Sequence, residues 1–283
     1  MAVLVAAALP CHAQELQETV DATMRPYKGT AVVLDLKTNK VVAAHDLALA
    51  AQRVASPGST VKSFVLLKLL ETGAAKPGDR FVCPRRVRIG NKHLDCTHPA
   101  LPAAIDPSDA LAWSCNAYFA GAAQRLKPKE LADALRLAGF ASYTGLAPQE
   151  VTGTIRTAET VDQLRLQALG EWGAMTTPLE LLAAYRKLAD GRDDPNGKLV
   201  WQGLEHSVAY GMARAAHTEK VDIAGKTGTA AQPYQAATHG WFVGLAPAEK
   251  PTIAIVIYIE HGRGLDAAAL APPIVSAYFQ GRR

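Results

Sequence analysis

The run PTIAIVIYIE at residues 251–260 constrains this chain more than any other feature. Ten residues, almost all apolar and largely β-branched, with no charge before the final glutamate, read as a strand long enough to be central in a sheet. The segment TAVVLDLKTNKVVAAH at 30–45 supplies two further β-rich runs. They flank Thr38-Asn39, which suits a hairpin turn. Residues 221–229 and 239–246 read as two more strands.

Helical signals fill the middle. Pro57-Gly58 breaks the chain, and a helix should begin near Ser59. Its residues Val61, Phe64, Val65, Leu66, Leu67, Leu69 and Leu70 are apolar on nearly every face, the mark of a buried helix, and it should end around Gly73. Asp106-Pro107 pairs an N-cap with proline at the first helical position, and Pro128 opens another helix running to Gly139. Residues 117–126 and 157–169 carry helical patterns. Thr177, Pro178 and Glu180 form a capping box ahead of a helix over 178–189. A last helix covers 267–279. Strands at both chain ends with helices between them predict an α+β fold. Its central antiparallel sheet has flanking helices and a mostly helical lobe beside it. The sheet lobe should take about 28–60 and 200–283, and the helical lobe about 61–199, within a single unit over 14–283.

Residues 1–13, MAVLVAAALPCHA, form an apolar run that ends on the small Ala13. This reads as the end of a secretory signal cleaved after Ala13, and predicts an exported protein, periplasmic or extracellular. No segment is long and apolar enough for an integral membrane span. The formal charge of +4 is spread along the chain, with no basic run interleaved with aromatics, so no nucleic-acid partner is expected. Oligomeric state is not legible. Of four cysteines, Cys11 would leave with the signal. Export makes a Cys83–Cys96 disulfide the expectation. A metal reading from Cys83, His93, Cys96 and His98 and a free-thiol reading stay open. Cys115 reads as a small buried filler.

Three short motifs carry chemistry. Ser59-Thr-Val-Lys62 sets a hydroxyl and an amine one helical turn apart on one face. A serine needs a base to attack, and a lysine desolvated in an apolar helix can be that base. Ser114-Cys115-Asn116 falls on a turn between two helical patterns, with a hydroxyl to relay a proton and an amide to bind a carbonyl. Lys226-Thr227-Gly228-Thr229 lies in a strand-like run. There Gly228 permits close backbone approach, and the lysine and threonines suit a carboxylate.

The three motifs in this order resemble Ser-x-x-Lys, Ser-x-Asn and Lys-Thr-Gly of the penicillin-binding protein transpeptidase domain, within the serine acyltransferases that also include β-lactamases. Pro57-Gly-Ser-Thr-Val-Lys62, Ser114-Cys-Asn-Ala-Tyr-Phe119, Thr177-Pro-Leu-Glu180, Ala224-Gly-Lys-Thr-Gly-Thr-Ala230 and Trp241-Phe-Val-Gly-Leu-Ala-Pro247 extend the likeness over about residues 28–280. The resemblance implies a D-Ala-D-Ala transpeptidase or carboxypeptidase acting on peptidoglycan stem peptides and binding β-lactam antibiotics, with no cofactor and no metal in its chemistry. It implies Ser59 as nucleophile, Lys62 as base and Ser114 as proton relay. Asn116, Lys226, Thr227, Gly228 and Thr229 would bind substrate, and the backbone N–H groups of Ser59 and Thr229 would form the oxyanion hole. A β-lactamase is the alternative and a β-lactam sensor the third. No Glu-x-x-Leu-Asn motif for hydrolysis is present, since Glu150 sits in QEVTG. Asn116 is polar where carbamylated-lysine enzymes keep an apolar residue. The ester on Ser59 is therefore expected to resist water. The chain as it stands carries neither the pedestal domain nor the membrane anchor of the large members, which predicts a catalytic domain on its own.

Overall fold

The computed structural model describes residues 8–231 and 237–280. The chain opens with helix α1 (Ala8–Met24), strands β1 (Gly29–Asp35) and β2 (Lys40–His45), and helix α2 (Leu47–Gln52). A 3₁₀ turn over Gly58–Val61 runs into α3 (Lys62–Glu71). A loop with the short strands β3 (Arg88–Ile89) and β4 (Lys92–His93) leads to α4 (Pro107–Ala112), α5 (Asn116–Ala122) and α6 (Pro128–Ala138). Then come β5 (Thr154–Ile155), α7 (Val161–Ala168), β6 (Ala174–Met175), α8 (Pro178–Asp190) and α9 (Pro195–Ala209). Strands β7 (Ala224–Ala231), β8 (Thr238–Ala246) and β9 (Ile253–Ile259) precede α10 (Gly264–Ala268) and α11 (Ala271–Gln280).

Five strands form one antiparallel sheet in the order β2-β1-β9-β8-β7. The apolar run at 251–260 is its middle strand, and all seven residues of β9 are buried. Its continuous apolarity has a direct cause: both faces of the sheet are covered. Ala254, Val256 and Tyr258 point into the core shared with the central helices, while Ile253, Ile255, Ile257 and Ile259 point into a second core under α1 and α11. The two-residue alternation of a strand thus feeds two apolar layers. At the other end of the order, β7 is an edge strand with an unpaired side.

Helix α1 occupies the N-terminal segment on which the cleavage reading falls. It runs without a break across Ala13, and Leu16, Val20 and Met24 bury the i, i+4, i+8 stripe of its later turns against the sheet. Cleavage after Ala13 would shorten this helix without removing its packed face. The apolar start at residues 1–7 lies outside the described residues. No described helix is long and apolar enough to cross a membrane. Helix α9 was also missed, although Pro195 at its first turn is a start signal. It packs on both α4 and β7.

Candidate active site

The Pro57-Gly58 break works as a bracket between sheet and helices. Gly58 has φ +53°, and a Cβ on it would stand 2.5 Å from Thr229 O on β7. Only glycine tolerates both conditions. Ser56 O accepts hydrogen bonds from His239 Nε2 at 2.7 Å and Trp241 Nε1 at 2.9 Å, both on β8. His239 therefore carries its proton on Nε2, and its burial lowers its pKa, which keeps the ring neutral. On the helical side, Tyr185 of α8 donates to Thr60 O at 2.7 Å and pairs with Ser63 Oγ at 2.8 Å. His239, Trp241 and Tyr185 hold the Ser59 turn from two directions. None of the three was singled out by the motifs, although Trp241 opens one of the matching segments.

Beneath Ser59, Lys62 begins α3 and is fully buried. Its Nζ donates to Ser114 O at 2.8 Å, Ser114 Oγ at 3.2 Å and Asn116 Oδ1 at 2.5 Å. Burial lowers its pKa from the ordinary lysine value to about 8. Ser114 sits at φ +51° between α4 and α5, a conformation that a non-glycine residue adopts at a cost. The twist sets its hydroxyl between two amines, because Lys226 Nζ also donates to Ser114 Oγ at 3.0 Å. Lys226 is fully buried. Burial, and then the neighbouring Lys62, lower its pKa well below the ordinary value. Two ammonium groups flanking one hydroxyl favour giving up a proton, which is the property a base needs.

Gly228 lets β7 lie across the turn: a Cβ there would come within 2.6 Å of Pro57 O. Thr229 Oγ1 accepts from Gly264 N at 2.8 Å, so its hydroxyl proton remains available to a ligand. Asn116 spends both ends of its amide, accepting from Lys62 and donating Nδ2 to Leu94 O at 3.0 Å. Ser59, Ser114, Asn116, Thr227 and Thr229 line one cleft of about 260 Å³. The three motifs, far apart in sequence, meet there, with both lysines bonded to Ser114 Oγ behind the lining. Lys226 faces Ser114 rather than open solvent, so its charge reaches a ligand through the hydroxyl.

The cysteines depart from expectation. Cys83, Cys96 and Cys115 are free thiols. Cys83 Sγ lies 3.6 Å from Cys96 Sγ and 3.3 Å from Cys115 Sγ, and the Cys96–Cys115 separation is 3.8 Å. A disulfide needs about 2.05 Å. Cys115 is therefore a member of a cluster and not a filler, and the disulfide reading is corrected. The fourth member is His98, with Nε2 3.5 Å from Cys83 Sγ. His93 instead lines the cleft with Ser59. His98 Nδ1 lies 2.7 Å from Pro99 O and must donate to it, which leaves Nε2 as the lone-pair nitrogen facing the thiols. The four ligand atoms lie within 4.8 Å of one another. Zn–S bonds of about 2.3 Å give tetrahedral edges of about 3.8 Å, so this Cys₃His set suits a soft divalent cation such as zinc. It would tie the loop at 83–98 to the start of α5, beside Asn116. Elemental analysis of protein purified without chelator should find about one zinc per chain. Denaturing, non-reducing titration after chelation should then find Cys83, Cys96 and Cys115 all reactive. A single reactive thiol among these three, without metal, would restore the disulfide reading.

The fold agrees with known proteins. Residues 29–280 match the family model described as the penicillin binding protein transpeptidase domain, and the chain belongs to that family. Peptidoglycan D,D-transpeptidase MrdA of Acinetobacter baumannii is 26% identical over 83% of this chain and 44% of its own length. Stage V sporulation protein D of Bacillus subtilis is 26% identical over 77% of this chain and 40% of its own. The chain thus spans less than half the length of these two relatives. Among solved structures, the D,D-transpeptidase domain of a peptidoglycan glycosyltransferase from Eggerthella lenta superposes with a TM-score of 0.83 at 22% identity, covering 95% of this chain and 81% of that one. PBP2 of Pseudomonas aeruginosa, solved in complex with WCK 5153, gives 0.82 at 22% identity, covering 93% and 76%.

Proposed function

We propose that the chain is a serine D,D-transpeptidase that transfers the acyl group of a D-Ala-D-Ala stem peptide through an ester on Ser59. The observation that carries this is the buried Lys62 amine, bonded to Ser114 and Asn116 one helical turn below Ser59. In this reading, Lys62 as a free base takes the Ser59 proton and Ser114 relays it to the leaving D-Ala amine. The stem peptide adds to the open side of β7 as an extra strand. Asn116 holds its amide by trading its bond to Leu94 O for one to the peptide, and Thr227 and Thr229 take its carboxylate with Lys226 as the charge behind them. Gly228 keeps that strand pressed to the nucleophile turn. The N–H groups of Ser59 and Thr229 would receive the oxyanion, each donor contributing about 3 kcal/mol. β-Lactams would acylate the same serine. Peptidoglycan lies outside the cytoplasm, so the enzyme would act there after export, in the periplasm or beyond the cell.

A pentapeptide ending in D-Ala-D-Ala, given with a D-amino acid as acceptor, tests this by mass spectrometry. The expected result is release of the terminal D-Ala with incorporation of the acceptor. No release, together with catalytic turnover of a chromogenic cephalosporin, would contradict it in favour of a β-lactamase.

A further inference from the structure

Glu171 belongs to none of the three motifs, yet it lines the same cleft as Ser59, Asn116 and Thr229. The chain places it there by a helix ending. Helix α7 closes with Gly170 at φ +71°, Gly170 N donating to Gln167 O at 3.0 Å and Glu171 N donating to Leu166 O at 2.9 Å. This is the paired 5→2 and 6→1 pattern of a glycine-capped C-terminus. The turn is fixed against the nucleophile loop. Ser56 Oγ donates to Gly170 O, and a Cβ on Gly170 would stand 2.0 Å from Gly58 O. On the other side, Trp172 stacks under Arg156 at 5.0 Å. Glu171 is thus held on backbone that touches the Ser59 turn on one side and is anchored on the other.

The Glu171 carboxylate makes no hydrogen bond and no ion pair among the described residues. By contrast, Glu150 accepts from Thr144, Leu146 and Ala147, and Glu180 from Gly153, Thr176 and Thr177. Burial raises the pKa of Glu171, against the pull of Lys92 and Lys62. A half-buried carboxylate left open in a reaction cleft is poised to accept a proton. The acylation half-reaction has no use for it, since Lys62 and Ser114 handle the Ser59 proton. The second half-reaction does need it: the acceptor arrives as an ammonium and must lose a proton before its nitrogen can attack.

We propose that Glu171 is the acceptor-side base, binding the ammonium of the incoming amine and taking its first proton. This rests on Ser59 carrying the acyl group, as proposed above. The balance closes on the three ammonium hydrogens. One goes to the Glu171 carboxylate and frees the nitrogen lone pair. The nitrogen attacks the ester carbonyl, and the C–Oγ bond to Ser59 breaks. The second hydrogen passes through Lys62 to Ser59 Oγ, and the third stays on the new amide.

The test is Glu171→Gln, which keeps size and polarity but cannot take the proton. Labelling by penicillin gives the acylation rate, and pentapeptide with a D-amino acid gives the amine-transfer rate. Transfer should fall at least about 100-fold more than acylation, the low end of what a lost general base costs. Hydroxylamine, already a free base at neutral pH, should resolve the wild-type and variant esters at similar rates. Unchanged transfer would overturn the proposal. So would transfer and acylation falling in parallel, which would mark Glu171 as a support of the Ser59 turn. Loss of hydrolysis alone, with amine transfer intact, would assign the carboxylate to water and overturn it as well. A wild-type protein that forms no Ser59 adduct at all would fail the transpeptidase reading itself, which is a different result.

Discussion

Replacing Ser59 by alanine is expected to abolish covalent labelling by a fluorescent penicillin while leaving the melting temperature close to wild type. The Ser59 hydroxyl is half-buried and has no hydrogen-bond partner among the described residues, so removing it breaks no contact of the fold. Substitutions that lose no packed group or buried bond change stability by about 0.5 kcal/mol or less. The chemical loss is of another order, because the atom that forms the bond is gone. Losing a serine nucleophile costs on the order of 10⁶-fold in turnover. Ser114 does not replace it: its Oγ is held between Lys62 and Lys226 at 3.2 and 3.0 Å. Gel fluorescence beside a thermal melt checks both halves. Labelling of the Ala variant at a rate near wild type would remove Ser59 from its role.

Lys62→Arg has the second largest expected effect. A guanidinium stays charged at any pH the protein survives, so it takes no proton from Ser59. The loss in acylation rate should reach about 10²–10⁴-fold, the contribution of a positioned general base. The wild type should show the matching pH signature. Burial lowers the Lys62 pKa to about 8, and the free base is the reactive form. Acylation should therefore climb as pH rises toward about 8 and level off above it. The arginine variant should lack that inflection. Stopped-flow acylation from pH 6 to 9.5, with circular dichroism to verify folding, separates the outcomes. A folded arginine variant that acylates at the wild-type rate would move the base to another group.

The residues proposed to do the chemistry were legible because such chemistry dictates their types at short spacing. A serine and lysine one turn apart in an apolar helix, and glycines in a strand beside a lysine, leave marks a sequence shows. The sheet was legible for a similar reason, since β9 is apolar on both faces and can only be central. What escaped depends on where loops land. Glu171 reaches the cleft through the capping turn of α7, which no local pattern aims at Ser59. Cys115 meets Cys83 and Cys96 because the loop at 83–98 folds onto the start of α5. Spacing along the chain suggested His93 as readily as His98, and export favoured a bridge over a cluster. His239 and Trp241 act across more than 180 residues by donating to a single carbonyl, Ser56 O. Helix α1 was hidden by its own apolar start, which has the composition of a leader.

The central claim is that Ser59 carries the acyl group, and mass spectrometry tests it most directly. The chain would be incubated with benzylpenicillin, freed of drug, weighed intact and digested with trypsin. Cleavage after Arg53 and Lys62 isolates residues 54–62, with Ser59 inside. The account predicts one penicilloyl group per chain, confined to that peptide and persisting for minutes to hours in water. An unmodified chain, or an adduct mapped to any other peptide, would contradict it.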